Sequence, residues 1–176
     1  MMRAQVKRFP LLSRIFHWTM AVLVLAMLFI GIGMVSTTSD RYHMLFAVHR
    51  TIGIVILVLV AGRLINRLLN PPPALPSDLP RWQRVAAGLS HVVLYALMFA
   101  LPIVGWAMLS AGGYPILIFG TVALPPILPH DVATFALLRT AHSALAFLLF
   151  ATFLAHLGAA LFHRFIRRDD VLQSMT

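Results

Sequence analysis

The chain contains no cysteine among its 176 residues. This absence excludes disulfide bonds, iron–sulfur clusters, thiolate ligation of haem and covalent haem attachment through a C-x-x-C-H motif. Any haem would therefore be held by histidine, without a covalent link. Charged residues are also scarce, at 11% of the chain, whereas a soluble domain carries about 25%.

Apolar residues make up 60% of the sequence and occur in long runs, which predicts an integral membrane protein. The runs predict an all-α membrane protein, a bundle of four transmembrane helices at about residues 15–35, 43–69, 81–110 and 131–168, in one domain spanning 1–176. The first run is too long for a signal-peptide core and has no cleavage site before Ser36, so we interpret it as an uncleaved helix. A proline-rich linker covers residues 70–80, because proline cannot continue a helix. Residues 111–130 are expected to form a loop on the membrane surface.

The formal charge of +9 could suggest a nucleic-acid partner, but its placement indicates membrane topology instead. Of fourteen Lys and Arg residues, three lie on one side of the predicted helices, namely Arg41, Arg50 and Arg139. The other eleven lie on the opposite side, including Arg3, Lys7, Arg63, Arg67 and Arg164. The positive-inside rule then places both termini and the proline-rich linker in the cytoplasm.

His142 and His156 lie fourteen residues apart in the fourth helix. At about 100° per residue, their side chains project from roughly the same face of the helix. At about 1.5 Å per residue, they are about 21 Å apart along the axis. A hydrocarbon core is about 30 Å thick, so one helix can hold one histidine in each leaflet. Imidazole is a good axial ligand of haem iron, and ionisable residues inside a membrane usually serve function. The spacing predicts two stacked b haems that carry electrons across the membrane.

Depth in the membrane pairs His49 with His142 at the outer site. It leaves three candidates for the inner site: His17, His91 and His156. A flat macrocycle needs a small neighbour one helical turn from its ligand. Such a neighbour follows His17, His49, His142 and His156 four residues on, as Ala21, Gly53, Ala146 and Ala160. His91 has Tyr95 in that place, so we expect it to be a core histidine that bonds a haem propionate or a backbone carbonyl.

Three further residues are candidates near these sites. His163 is expected to be a solvated interfacial residue that could donate a proton to a quinone. Arg50 adjoins His49, and Arg139 precedes His142 by about one helical turn. Their guanidinium groups could bind haem propionates or attract an anionic substrate.

The ordered set of motifs resembles the bacterial cytochrome b561 proteins, four-helix di-haem b cytochromes of the inner membrane. The resemblance covers about residues 9–173. The matching features are Phe16-His17-Trp18, His49 with Gly53, Gly62-Arg63-Leu64 with Arg67, Ser90-His91-Val92-Val93-Leu94-Tyr95, Ala100-Leu101-Pro102-Ile103-Val104-Gly105, and His142 and His156 with Ala159, Ala160, Phe162 and His163.

The resemblance implies haem-iron ligation by His17 with His156 and by His49 with His142. It also implies a superoxide oxidase, in which electrons from periplasmic superoxide pass through two haem b groups to ubiquinone, with Arg139 as the basic residue near the outer haem. One alternative is an electron-carrier subunit that links a partner dehydrogenase or hydrogenase to the quinone pool. Another is a transporter that uses the histidines for metal or protons. The expected partners are membrane lipid, quinone and superoxide, and a homo-oligomer or a redox partner is left open.

Overall fold

The computed structural model describes residues 8–73 and 78–176. Arg3, Lys7 and part of the proline-rich linker lie outside them. Four long helices dominate the fold: α1 (Leu11–Ser36), α2 (Arg41–Leu69), α3 (Arg81–Ala111) and α4 (Val132–Phe162). Each is long and apolar enough to cross a membrane, so the prediction of a four-helix membrane bundle is confirmed.

The helices begin where the local sequence favours a start. Pro10 and Pro80 immediately precede α1 and α3, since a fixed φ near −65° suits the entry to a helix. Asp131 caps α4, and its carboxylate accepts a hydrogen bond from the Thr134 N–H at 2.6 Å. The predicted boundaries are close, although α1 begins at Leu11 rather than residue 15.

The interior of the bundle is a thin layer of apolar side chains in which all four helices take part. Its buried members are Met20, Val24, Ile56, Val60, Leu97, Met98 and Leu149. Many outward-facing side chains are large and apolar, for example Phe29, Val58 and Phe147. An apolar exterior of this extent is expected of helices that face lipid rather than water.

The expectation of an irregular loop at residues 111–130 is incomplete, because this segment contains a β-hairpin. Strands β1 (Ile116–Ile118) and β2 (Val122–Leu124) pair antiparallel, with Ile118 opposite Val122. Phe119 and Gly120 both have positive φ in the turn, as a tight hairpin turn requires. Ile116 and Ile118 are buried beside Leu109 of α3, so the hairpin is held by packing against the helices.

The α-helix of α4 ends at Phe162, and a π-helical turn continues over His163–Arg167. Arg168 then adopts the left-handed conformation with φ of 57°, which turns the chain back toward the bundle. The returning tail reaches the start of α1, where the Phe9 N–H donates to the Ser174 carbonyl at 2.9 Å. The Trp18 Nε1–H donates to the Met175 carbonyl at 3.0 Å. We call this end of the bundle the terminal end, and the end that carries β1 and β2 the hairpin end.

Candidate haem sites

At the hairpin end, His49 of α2 faces His142 of α4 with ring centroids 6.1 Å apart. Two imidazoles that bind one metal in trans, with bonds of about 2 Å, place their centroids roughly 6 Å apart. Nδ1 of each ring is buried and has no hydrogen-bond partner in the described part of the chain. Buried polar atoms normally have a partner, so this pair has the geometry and the unmet bonding capacity of an axial ligand pair.

At the terminal end, His156 of α4 meets two histidines. Its ring centroid lies 6.3 Å from that of His17 on α1 and 5.4 Å from that of His91 on α3. All three candidates that depth alone suggested therefore lie together. The His17–His156 separation resembles that of the hairpin-end pair, whereas His91 is closer to His156 than trans ligation across one iron would place it.

The histidine pairs join helices that otherwise make no extensive contact in the described residues. The extensive contacts join α3 with α4, α1 with α2, and α2 with α3. In the described residues α4 makes no extensive contact with α1 or α2, yet the histidine pairs bridge these helices. A side chain at Gly105 of α3 would come within 3.3 Å of the His142 ring. The spacing, the unpartnered nitrogens and the missing Cβ all fit a haem held between two histidines.

The two sites are separated by the apolar layer of the bundle. Leu149, a buried member of that layer, lies seven residues from both His142 and His156. Seven residues of α-helix span about 10 Å. The arrangement stacks two histidine sites on the same helix, one on each side of a hydrophobic core.

A polar cluster lies beside the terminal-end histidines, and its role was not predicted from the sequence. The Arg63 Nη2 is 3.0 Å from Nδ1 of His17. Arg63 and Arg67 both lie against the ring of Tyr95 on α3. A sequence signal was available, because Arg63, Asn66, Arg67 and Asn70 follow the i, i+3, i+4, i+7 spacing of one helical face.

The two hairpin-end arginines have different surroundings. Arg50 donates from Nη1 to the Pro115 carbonyl at 3.1 Å and lies over the Phe46 ring, so it fastens the start of the hairpin to α2. Arg139 is exposed in a shallow open groove that Thr140 and Ser143 also line. Of the two, Arg139 is the one whose charge faces the surroundings.

His163 is not the solvated residue that the sequence suggested. Its side chain is 13% exposed, and Nδ1 lies 2.7 Å from a carboxylate oxygen of Asp169. Arg167 donates to the same oxygen and also pairs with Asp78 at the end of the linker. Partial burial would raise the pKa of Asp169, but hydrogen bonds from His163, Arg167 and the Val171 N–H hold that pKa below its ordinary value. The Asp169 side chain is therefore a carboxylate, and Nδ1 of His163 donates to it.

Comparison with known proteins identifies the family of the chain. The family model for prokaryotic cytochrome b561 matches residues 8–176. Cytochrome b561 homolog 2 of Escherichia coli (strain K12) is 34% identical over 172 residues, covering 96% of this chain and 91% of that protein. A Yersinia pestis protein named probable superoxide oxidase CybB is 36% identical over 136 residues, covering 73% of this chain and 72% of that protein. The chain therefore belongs to the prokaryotic cytochrome b561 family, whose members are haem-binding membrane proteins of electron transport.

Proposed function

We propose that this protein is a di-haem b oxidoreductase of the bacterial inner membrane that passes electrons from superoxide to ubiquinone. The observation that carries the proposal is the pair of histidine sites stacked at opposite ends of α4, with ring centroids 6.1 Å and 6.3 Å apart. His49 and His142 would hold one haem, and His17 and His156 the other. When bound, each haem iron supplies one-electron redox chemistry.

The charge distribution supports an orientation with the hairpin end outside. Three of the fourteen basic residues are assigned to that side, and the positive-inside rule places the richer side in the cytoplasm. Superoxide formed in the periplasm would then meet the His49–His142 site. Arg139, exposed near that site, would raise the local concentration of the superoxide anion. Arg50 adds positive charge there while it holds the hairpin.

At the terminal end, the polar groups available for quinone chemistry are His91, His163 and Arg164, since His156 would hold the haem. Reduction of a quinone to a quinol takes two electrons and two protons, so two superoxide ions would each give up one electron and leave as dioxygen. His163, whose Nδ1–H is held by Asp169, can present Nε2 toward a bound quinone. Protons from cytoplasmic water would reach this face without crossing the membrane.

Reduction of ubiquinone by purified protein, driven by an enzymatic source of superoxide, tests the proposal. We expect one quinol to form for every two superoxide ions that the protein oxidises, counted above spontaneous dismutation, and we expect added superoxide dismutase to suppress quinol formation. A protein that carries both haems but does not react with superoxide would instead be an electron-carrier subunit. That subunit would link a dehydrogenase or hydrogenase to the quinone pool.

A further inference from the structure

The polar cluster at the terminal end, formed by Arg63, Arg67 and Tyr95, presents hydrogen-bond donors and positive charge. The guanidinium carbons of Arg63 and Arg67 lie 5.6 Å and 5.7 Å from the centroid of the Tyr95 ring. No carboxylate lies within ion-pair distance of either arginine in residues 8–73 and 78–176. The Tyr95 hydroxyl is buried and, in the same ranges, has no hydrogen-bond partner. Guanidinium groups and a hydroxyl donor that lie close together form a binding site for an oxyanion.

The hydrogen bond between Arg63 and His17 depends on whether His17 binds haem iron. Nδ1 of His17 can accept a hydrogen bond from Arg63 only while it keeps a free lone pair. If His17 binds iron through Nε2, Nδ1 carries the hydrogen; if it binds through Nδ1, the lone pair is used. Arg63 therefore loses this acceptor in either case. A guanidinium left partly buried then requires another acceptor within reach.

We propose that Arg63 and Arg67, with the Tyr95 hydroxyl, bind the propionate groups of the haem held by His17 and His156. The inference rests on the haem ligation proposed above and adds the residues that bind the propionates of that haem. Planar guanidinium groups pair with carboxylates through two parallel hydrogen bonds, which positions the carboxylate as well as neutralising it. Each propionate would also relieve the repulsion between the two neighbouring arginines.

A lipid phosphate would suit the same donors, but the surroundings favour a carboxylate that arrives from the haem side. The cavity between Arg63, Arg67 and Tyr95 is also lined by Phe9 and Met175. Phe9 and Met175 lie where the returning tail meets the residues before α1, at the hydrogen bond from the Phe9 N–H to the Ser174 carbonyl. The returning tail therefore lines the outer side of the cavity. On the inner side, Arg63 contacts His17, which is a candidate iron ligand.

The experiment compares Arg63→Gln, Arg67→Gln and the double variant with Arg81→Gln. Arg81 is an exposed arginine at the start of α3, at the same end of the bundle, so this control removes the same charge outside the cavity. The readouts are haem per chain, the rate of haem transfer to apomyoglobin, the midpoint potential of each haem, and the phospholipid retained after delipidation. Because lost positive charge disfavours the reduced haem, the midpoint potential of the terminal-end haem should fall. The hairpin-end haem should keep its potential.

Haem should leave the terminal-end site about tenfold faster in each single variant, which is the size expected for one hydrogen bond to a charged group. Arg63→Lys should restore most of the potential but less of the retention, because lysine keeps the charge and loses the two-point contact. Unchanged potential and retention in the double variant, with or without lost phospholipid, would overturn the assignment. None of these readouts uses superoxide or quinone, so a failed superoxide assay leaves this test intact. A parent protein without a terminal-end haem would overturn the assignment together with the proposed ligation.

Discussion

His49 and His142 face each other from α2 and α4 with ring centroids 6.1 Å apart, and both Nδ1 atoms are buried and unpartnered among the described residues. His17 and His156 also bring their rings together, from α1 and α4 at the other end, with centroids 6.3 Å apart. The helix α4 thus contributes one histidine to each site and is the element that both haems would share. Its two histidines can be changed separately, which makes the sites separable by mutation.

His142→Ala should remove the hairpin-end haem and leave the terminal-end haem, while His156→Ala should do the reverse. Each variant would then hold about half the parent's haem, because loss of one axial histidine leaves the other site's ligands in place. Haem content and redox titration of the purified variants measure this. Loss of both haems in a variant that keeps its helical circular dichroism would mean that the sites are coupled.

His91→Ala should retain both haems. His91 lies 5.4 Å from His156, but the His17–His156 pair has the spacing that trans ligation needs. We expect a shifted spectrum or potential for the terminal-end haem, since a polar neighbour has been lost, with unchanged haem content. If His91→Ala loses one haem and His17→Ala keeps both, then His91 is the ligand in place of His17.

Arg139→Glu should slow reduction of the haems by superoxide about tenfold at low salt, because a focused positive potential raises the encounter rate of an anion by roughly that factor or more. The effect should shrink at physiological salt, where the Debye length is about 8 Å. Stopped-flow absorbance measures the rates, with a neutral reductant as a reference reaction that should be unaffected.

Arg41→Glu is the matched control for that variant, because Arg41 is also exposed at the hairpin end and begins α2. The Arg41→Glu substitution changes the net charge by the same amount, but Arg41 lies about two helical turns from His49. Haem content must be equal in the compared proteins. An Arg139→Glu protein that holds both haems and reacts with superoxide at the parent's rate would show that Arg139 does not steer the substrate.

Acid should release the returning tail from the terminal end. The pKa of Asp169 in the folded protein is lowered from its ordinary value of 3.8, so its contribution to stability is complete above that value. It is lost as the pH falls through the lowered pKa. The hydrogen-exchange protection factors of residues 168–176, which are corrected for the intrinsic exchange rate at each pH, should be constant from neutral pH to about pH 5 and fall below about pH 4.

Asp169→Asn should lower that protection at neutral pH, because a neutral amide has one acceptor oxygen and cannot accept from the Val171 N–H as well as from His163 and Arg167. Asp40→Asn is a suitable control, since Asp40 is exposed at the hairpin end and its side chain makes no cap hydrogen bond. Equal protection of the tail in both variants would show that Asp169 does not hold it.

The sequence predicted the helices and the proximity of His49 to His142 because apolar runs and depth along a helix are local properties. Depth did not separate His17 from His91, since it does not give the direction in which a helix faces its neighbours. The small neighbour Ala21 and the family resemblance favoured His17. The hairpin was missed because strands of three residues depend on packing against Leu109 of α3. The partial burial of His163 was missed for a similar reason, because the left-handed turn at Arg168 that brings Asp169 back is a tertiary feature.

The haem stoichiometry of the purified protein tests the central claim most directly. A pyridine haemochrome assay, referred to protein concentration from amino-acid analysis, gives the number and the type of haems per chain. Two histidine pairs at opposite ends of α4 predict two b-type haems per chain. One haem per chain, or none, would contradict the account.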